Sequence, residues 1–267
     1  MSAQDPIDTG SLLLRGWRQD DAAELLAWRN QAGAPLALPA QGAQQDPSEW
    51  LMLVDPLSDR PLACLRLLPR LGLDLPRYSF HLGRVVHAAA ELGLFRAQST
   101  LLLGNDHTGE SELADMACAP GLDSSTQQAL LARLIAAALL RIEAAAGEFG
   151  TRLMVELAGP RDQQSLGAAP FWQGLGAHFY AGDPDAALHR LGAAWRSHLA
   201  ALLPRQTVYL SFLSEAAQAA VGQVGPAGQP AAQALAAAGF GFSQHVSIDD
   251  GGPVWELRLP RSSPAGA

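Results

Sequence analysis

One short run carries most of the candidate chemistry: Asn105-Asp106-His107-Thr108-Gly109-Glu110-Ser111-Glu112. A histidine flanked by a carboxylate and a hydroxyl can take up or release a proton near neutral pH, which makes His107 a candidate general acid or base. The same side chains can instead pin a polar turn by hydrogen bonds, with Gly109 free to adopt positive φ. The turn role weighs more, and the acid–base role stays open beside it. His87 lies in an apolar run and reads as a core histidine. His81, His178, His189, His198 and His245 have no ligand-like spacing with one another or with Cys64 and Cys118, so no metal site is expected. The two cysteines read as small buried hydrophobes of a reducing compartment. All 18 basic residues are arginine, which removes Schiff-base and lysine-nucleophile chemistry. Neither a G-x-S-x-G elbow nor a P-loop occurs.

The elements that must position these residues follow from composition and periodicity. Of 267 residues 48% are hydrophobic and 16% charged, enough apolar material for a core and too little charge for a disordered chain. A formal net charge of −8 without a basic stripe excludes nucleic acid as a partner, because phosphate neutralisation dominates that affinity. Acidic balance suits a cationic small substrate, though it also serves plain solubility. The most apolar stretch, 129–140, is interrupted by Arg133 and falls short of the ~20 residues of a membrane span. The start, Met1 to Asp5, lacks a basic and apolar leader. A cytoplasmic protein without membrane contact is expected.

Strand patterns occur at 11–17, 49–54, 61–68, 78–86, 99–103, 111–119, 152–157 and 208–212. Helical spacing predicts 22–30, 125–147, 171–179, 193–203, 215–221 and 230–238. Ser125-Thr126-Gln127-Gln128 fits a capping box, and Ser214 fits an N-cap. Residues 246–248 and 254–259 predict a hairpin across Asp249-Asp250-Gly251-Gly252. Trp172, Phe171 and Phe179 read as core, and 262–267 as a frayed tail. Interleaved strands and helices make an α/β (α+β) protein.

Five co-linear blocks give this pattern a relative. Gly104-Asn105-Asp106-His107-Thr108-Gly109-Glu110-Ser111-Glu112-Leu113 resembles the S-N-D-H-T-G-S-S-E-L of the bacterial arginine N-succinyltransferases. Tyr78, Val86-His87-Ala88 and Glu91-Leu92 are similar to that family's Y-R-V-G-T-L-V-H-A-S-K-E-L. Pro170-Phe171-Trp172-Gln173 with Leu175-Gly176 and Phe179 is similar to its P-F-W-x-x-L-G-x-x-F-F. Glu215-Ala216-Ala217-Gln218 and Ile248 to Pro253 match its E-E-A-Q and D-I-F-D-G-G-P. The order and spacing hold from about residue 12 to 259.

The resemblance implies a GNAT-like acyl-CoA N-acyltransferase fold: a mixed central sheet flanked by helices, with a second GNAT-like or partial α/β half. The expected division is an acyl-CoA-binding half over 1–160, a second half over 161–260 and a tail over 261–267. It implies transfer of a succinyl group from succinyl-CoA to the α-amine of arginine, in arginine catabolism, with succinyl-CoA as co-substrate and no tightly bound cofactor. It places Met116 against succinyl-CoA through its backbone, and makes Glu112 and Asn105 substrate-binding candidates. Glu112 could meet a guanidinium bidentately or be a solvated strand-end acid.

The chain departs from the family at two functional places. The proton-donor histidine of G-Q-V-H-P is replaced in Gly222-Gln223-Val224-Gly225-Pro226, and Gly225 cannot carry a proton. His107, Tyr180 or Tyr209 could substitute. The coenzyme loop R-K-E-G-N-G aligns with Asp123-Ser124-Ser125-Thr126-Gln127-Gln128, so its glycines are gone and Asp123 puts negative charge where phosphate would bind. The N-terminal region is also abbreviated around Leu36-Ala37-Leu38-Pro39. Two functional readings follow: an acyltransferase of the arginine N-succinyltransferase type, or a non-catalytic subunit or ligand-sensing paralogue, in a homo- or hetero-oligomer with an intact homologue.

Overall fold

The computed structural model describes residues 11–31, 34, 36–39, 47–161, 169–192 and 194–260; the tail expected over 262–267 lies outside them. Among the described residues ten strands form one sheet: β1 (Leu13–Gly16), β2 (Glu49–Val54), β3 (Pro61–Leu68), β4 (Ser79–Ala89), β5 (Leu94–Gly104), β6 (Ser111–Cys118), β7 (Arg152–Glu156), β8 (Val208–Tyr209), β9 (Gly241–Val246) and β10 (Pro253–Arg258). Their order across the sheet is β1-β2-β3-β6-β7-β10-β9-β4-β5-β8. Of the pairings, β6 with β7 is parallel and the rest are antiparallel. This is the mixed, helix-flanked sheet expected. The first half of the chain supplies strands on both sides of β10 and β9, with β4 and β5 beyond them.

The helices are α1 (Ala22–Leu25), α2 (Ser124–Ala144), α3 (Pro170–Gly174), α4 (Pro184–Leu191), α5 (Ala194–Leu202), α6 (Glu215–Ala220) and α7 (Gln229–Ala237). Leu130, Leu131, Leu134, Ile135, Ala138 and Ile142 recur every three to four residues and bury one stripe of α2 against β2, β3 and α7. Leu25 and Trp28 cover the opposite face of β2 and β3. That two-sided cover explains why the β2 sequence, EWLMLV, is a nearly continuous apolar run and not an alternating one. A separate core around Phe80, Leu101, Phe171, Trp172, Trp195 and Leu199 joins α3 and α5 to the other end of the sheet.

Several boundaries differ from the periodic reading for identifiable reasons. The helix expected over 22–30 ends at Leu25, where the chain turns and Asn30 bonds Ala34 through both backbone and side chain. The strand expected over 208–212 stops at Tyr209 and gives way to a 3-10 turn at Leu210–Phe212. Asp123, not a Ser125 capping box, caps α2: its carboxylate accepts from the Ser125 and Thr126 amides. The terminal hairpin pairs Val246 with Pro253, so residues 247–252 form the turn and the strand lies upstream of 246–248. There Asp250 accepts from the Gly252 and Gly159 amides, and Gly251 takes φ +71°. A Cβ on Gly251 would also lie 2.7 Å from the Phe171 ring.

Candidate active site

The parallel pair is short. β6 and β7 are in register only at Ser111↔Leu153 and Glu112↔Met154, yet β6 continues to Cys118 against β3 and β7 runs to Glu156 against β10. Past their second paired position the two strands part. A cavity of about 1320 Å³ opens there, lined by Ala114, Asp115 and Met116 on one side and Glu156, Leu157 and Ala158 on the other.

A bulge shapes the β6 wall. Arg66 pairs with Ala114 and Cys64 with Ala117, so Asp115 and Met116 together oppose Leu65. Asp115 takes φ +50°, uncommon for a residue with a side chain. Its carboxylate compensates by accepting from Arg66 Nε at 2.7 Å and from the Ala37 amide. The ladder is therefore interrupted at the edge of the cleft.

The cavity floor is a chain of ion pairs drawn from five segments. Arg77, in the loop before β4, donates to Glu112 of β6 at 2.5 Å and to Glu156 of β7 at 3.0 Å. Arg196 of α5 reaches Glu156 as well, and Asp249 of the hairpin turn at 2.8 Å. Burial pushes the Glu112 carboxyl up, against the opposing pull of Arg77. Burial acts on Glu156 too, but Arg196 and Arg77 together outweigh it and hold that carboxyl below its ordinary value. The difference follows from the number of guanidiniums touched. Three carboxylates share two arginines, so the floor keeps a net negative charge.

Of the residues singled out in the sequence, Glu112 and Met116 line the cavity, while Asn105 and His107 do not. The Asn105 carbonyl accepts from the Thr108 amide and hydroxyl, which closes the polar turn. His107 is 1% exposed, with its ring 4.3 Å from that of His245 and Nδ1 3.5 Å from Ser79 Oγ. Burial, then the neighbouring His245, lower its pKa to about 4, so it is neutral at physiological pH. Tyr180 lines the cavity; Tyr209 sits on β8 against β5. Gly225 donates to the Ala158 carbonyl at 2.7 Å, and a Cβ there would lie 2.5 Å from the Gly159 carbonyl oxygen. Cys64 and Cys118 are free, and no cluster of metal-ligating side chains occurs among the described residues. No helix among them is long and apolar enough to cross a membrane.

Sequence reasoning missed Arg77, Glu156, Arg196 and Asp249. Arg77 and Glu156 flank recognisable strands, but nothing in their local pattern says that four distant segments converge.

The family model of the arginine N-succinyltransferase beta subunit matches residues 13–263. The chain belongs to that family. Arginine N-succinyltransferases of Salmonella paratyphi B and Salmonella enteritidis are each 35% identical to it over 190 residues, covering 71% of this chain and 54% of theirs. The chain thus spans about half the length of the curated relatives it matches. The solved arginine/ornithine succinyltransferase subunit AI of Pseudomonas aeruginosa superposes with a TM-score of 0.71 over 93% of this chain and 77% of that one, at 23% identity. At that identity the likeness speaks for the fold, which is GNAT-like as expected. Family membership also accounts for the co-linear blocks.

Proposed function

We propose that this chain is an N-acyltransferase that moves the succinyl group of succinyl-CoA to the α-amine of arginine or a closely related amino acid, in cytoplasmic arginine catabolism. The observation that carries the reading is the divergence of β6 from β7 directly above a net-negative floor. A thioester arm can enter between parting strands, and a cationic amine is drawn to the carboxylates beneath it.

In this reading the free amine attacks the thioester carbonyl, the C–N bond forms, the C–S bond breaks, and the proton shed by the attacking nitrogen passes to the departing sulfur. Glu112, whose raised pKa brings it nearer the working pH, accepts the proton that the substrate ammonium must lose. The backbone at Met116, released from the ladder by the bulge, meets the acyl carbonyl and polarises it. Proton return to sulfur is assigned to Tyr180, because His107 is neutral and lies off the cavity wall. Asn105 acts through the turn that borders the site. Coenzyme phosphates meet a helix terminus already filled by Asp123, so weak coenzyme binding is expected. Incubating the purified chain with succinyl-CoA and arginine, and following thiol release, tests the reading. Thiol release dependent on both substrates supports it. No release with arginine or ornithine, at saturating succinyl-CoA, leaves the non-catalytic role in its place.

A further inference from the structure

Among the described residues the cavity is lined by Arg66, Arg70, Arg77, Arg161 and Arg196. Arg77 and Arg196 are held by the floor carboxylates. Arg70 gives Nε and Nη1 to the Glu148 and Gly109 carbonyls, and Arg161 pairs with Asp185. Arg66, on β3, is fixed in another way. Its Nε donates to Asp115 at 2.7 Å. Its guanidinium carbon lies 5.9 Å from the ring centroid of Trp50, the residue directly across on β2. Trp50 is itself buried. Among the described residues the two terminal nitrogens of Arg66 have no hydrogen-bond partner. The stem and Nε are therefore anchored, while the end that can fork onto a carboxylate is left open.

Its place in the cleft gives that open end a use. Asp115 and Met116 are the bulged residues of β6, so the anchor of Arg66 is the neighbour of the backbone assigned to the acyl carbonyl. A succinyl group carries its second carboxylate three carbon–carbon bonds from the thioester carbon, about 4 Å away when extended. One step along a strand is about 3.3 Å. The two lengths match. The net-negative floor repels the free carboxylate and turns it away from Glu112 and Glu156, toward β3.

We infer that Arg66 selects the acyl donor: its terminal nitrogens grip the free carboxylate of a dicarboxylic acyl thioester, a role that rests on the succinyl-transfer reading above. Asp115 is the positioning partner. Its second oxygen accepts from the Ala37 amide, which draws off part of the charge that would oppose the bound carboxylate.

Butyryl-CoA, with a methyl group in place of that carboxylate, is the comparison donor. Thiol release from each donor with arginine gives a ratio of kcat/KM, and calorimetry gives the ratio of affinities without turnover. The wild type should favour succinyl-CoA on the order of a hundredfold, through hydrogen bonds between charged groups. Arg66→Met keeps a stem over Trp50 and should bring both ratios near one. Because both donors are measured on the same variant, a loss of folded protein lowers both signals and leaves their ratio. Arg66→Lys keeps the charge beside Asp115 but not the fork, and should lose about tenfold of the preference. Selective binding without thiol release supports the role of Arg66 and overturns the catalytic reading. Thiol release with a preference that neither variant changes overturns the role of Arg66 and leaves the catalytic reading in place. Equal affinity of the wild type for the two donors, or binding of neither, also overturns it.

Discussion

Replacing Gly225 by histidine writes the family's G-Q-V-H-P into this chain, and the structure predicts that the result is a less stable protein, not a faster one. Gly225 has φ −66° and ψ 160°, a conformation open to any residue, so no backbone strain arises. The cost is steric. A Cβ would sit 2.5 Å from the Gly159 carbonyl oxygen, 3.0 Å from its carbon and 3.3 Å from the Ala158 oxygen. All three are backbone atoms, and Ala158 O already holds the Gly225 amide at 2.7 Å, so relief requires moving the strand end that borders the cleft. Overpacking of this kind costs about 1–3 kcal/mol. In a domain of this size each kcal/mol lowers Tm by about 2–4 °C, giving a fall of about 2–12 °C. Because the clash begins at Cβ, Gly225→Ala should lose most of what Gly225→His loses. Thermal unfolding of both variants, beside thiol release from succinyl-CoA, is the assay. Either variant unfolding at the wild-type temperature, or Gly225→His gaining rate with stability intact, refutes the reasoning.

Four other outcomes follow from the same geometry. Arg196→Met strands Glu156 and Asp249; since Glu156 keeps Arg77, the loss should fall below the 3–5 kcal/mol of a fully broken buried pair, at about 2 kcal/mol in urea unfolding, and adding Glu156→Gln should recover part of it. His107 has a folded pKa of about 4 against 6.5 for an ordinary histidine, so the unfolded chain binds its proton first. Stability is then complete above about pH 6.5 and declines as pH falls toward 4, by up to about 3 kcal/mol, and the decline should be shallower in His107→Gln when unfolding is followed across that range. Asp123→Asn keeps the α2 cap but removes its charge, so calorimetry should find CoA bound severalfold more tightly, most clearly at low salt. Leu134→Ala, at a fully buried site on α2, should cost about 2–5 kcal/mol in denaturant unfolding.

Much of this was legible in the sequence where local pattern and tertiary demand agree. β2 and β3 begin and end where their apolar runs do, and α2 follows its leucine spacing to within a few residues. Legibility failed where a long-range contact overrode the pattern. The outer half of β5 has no buried face to produce a strand signal, and α4 carries a single buried residue, Ala187. The hairpin strand at 241–246 was displaced because Asp250 spends its carboxylate on two amides of a turn, one of them from the distant Gly159. Glu112 and Met116, which sit in or near a matched block, were singled out in the sequence and line the cavity. Arg77, Glu156, Arg196 and Asp249 were not singled out, because their meeting depends on sheet order, and spacing along the chain does not carry sheet order. His107 is a residue type suited to catalysis that lies buried beside His245 and Ser79, away from the cavity lining.

The central claim is that succinyl-CoA enters between the parting ends of β6 and β7, and amide hydrogen exchange with and without succinyl-CoA tests it most directly. The account predicts slower exchange confined to segments 112–117 and 153–159, with little change along the β4–β5 ribbon. Unchanged exchange in both segments at saturating succinyl-CoA, or protection appearing elsewhere in their place, would contradict it.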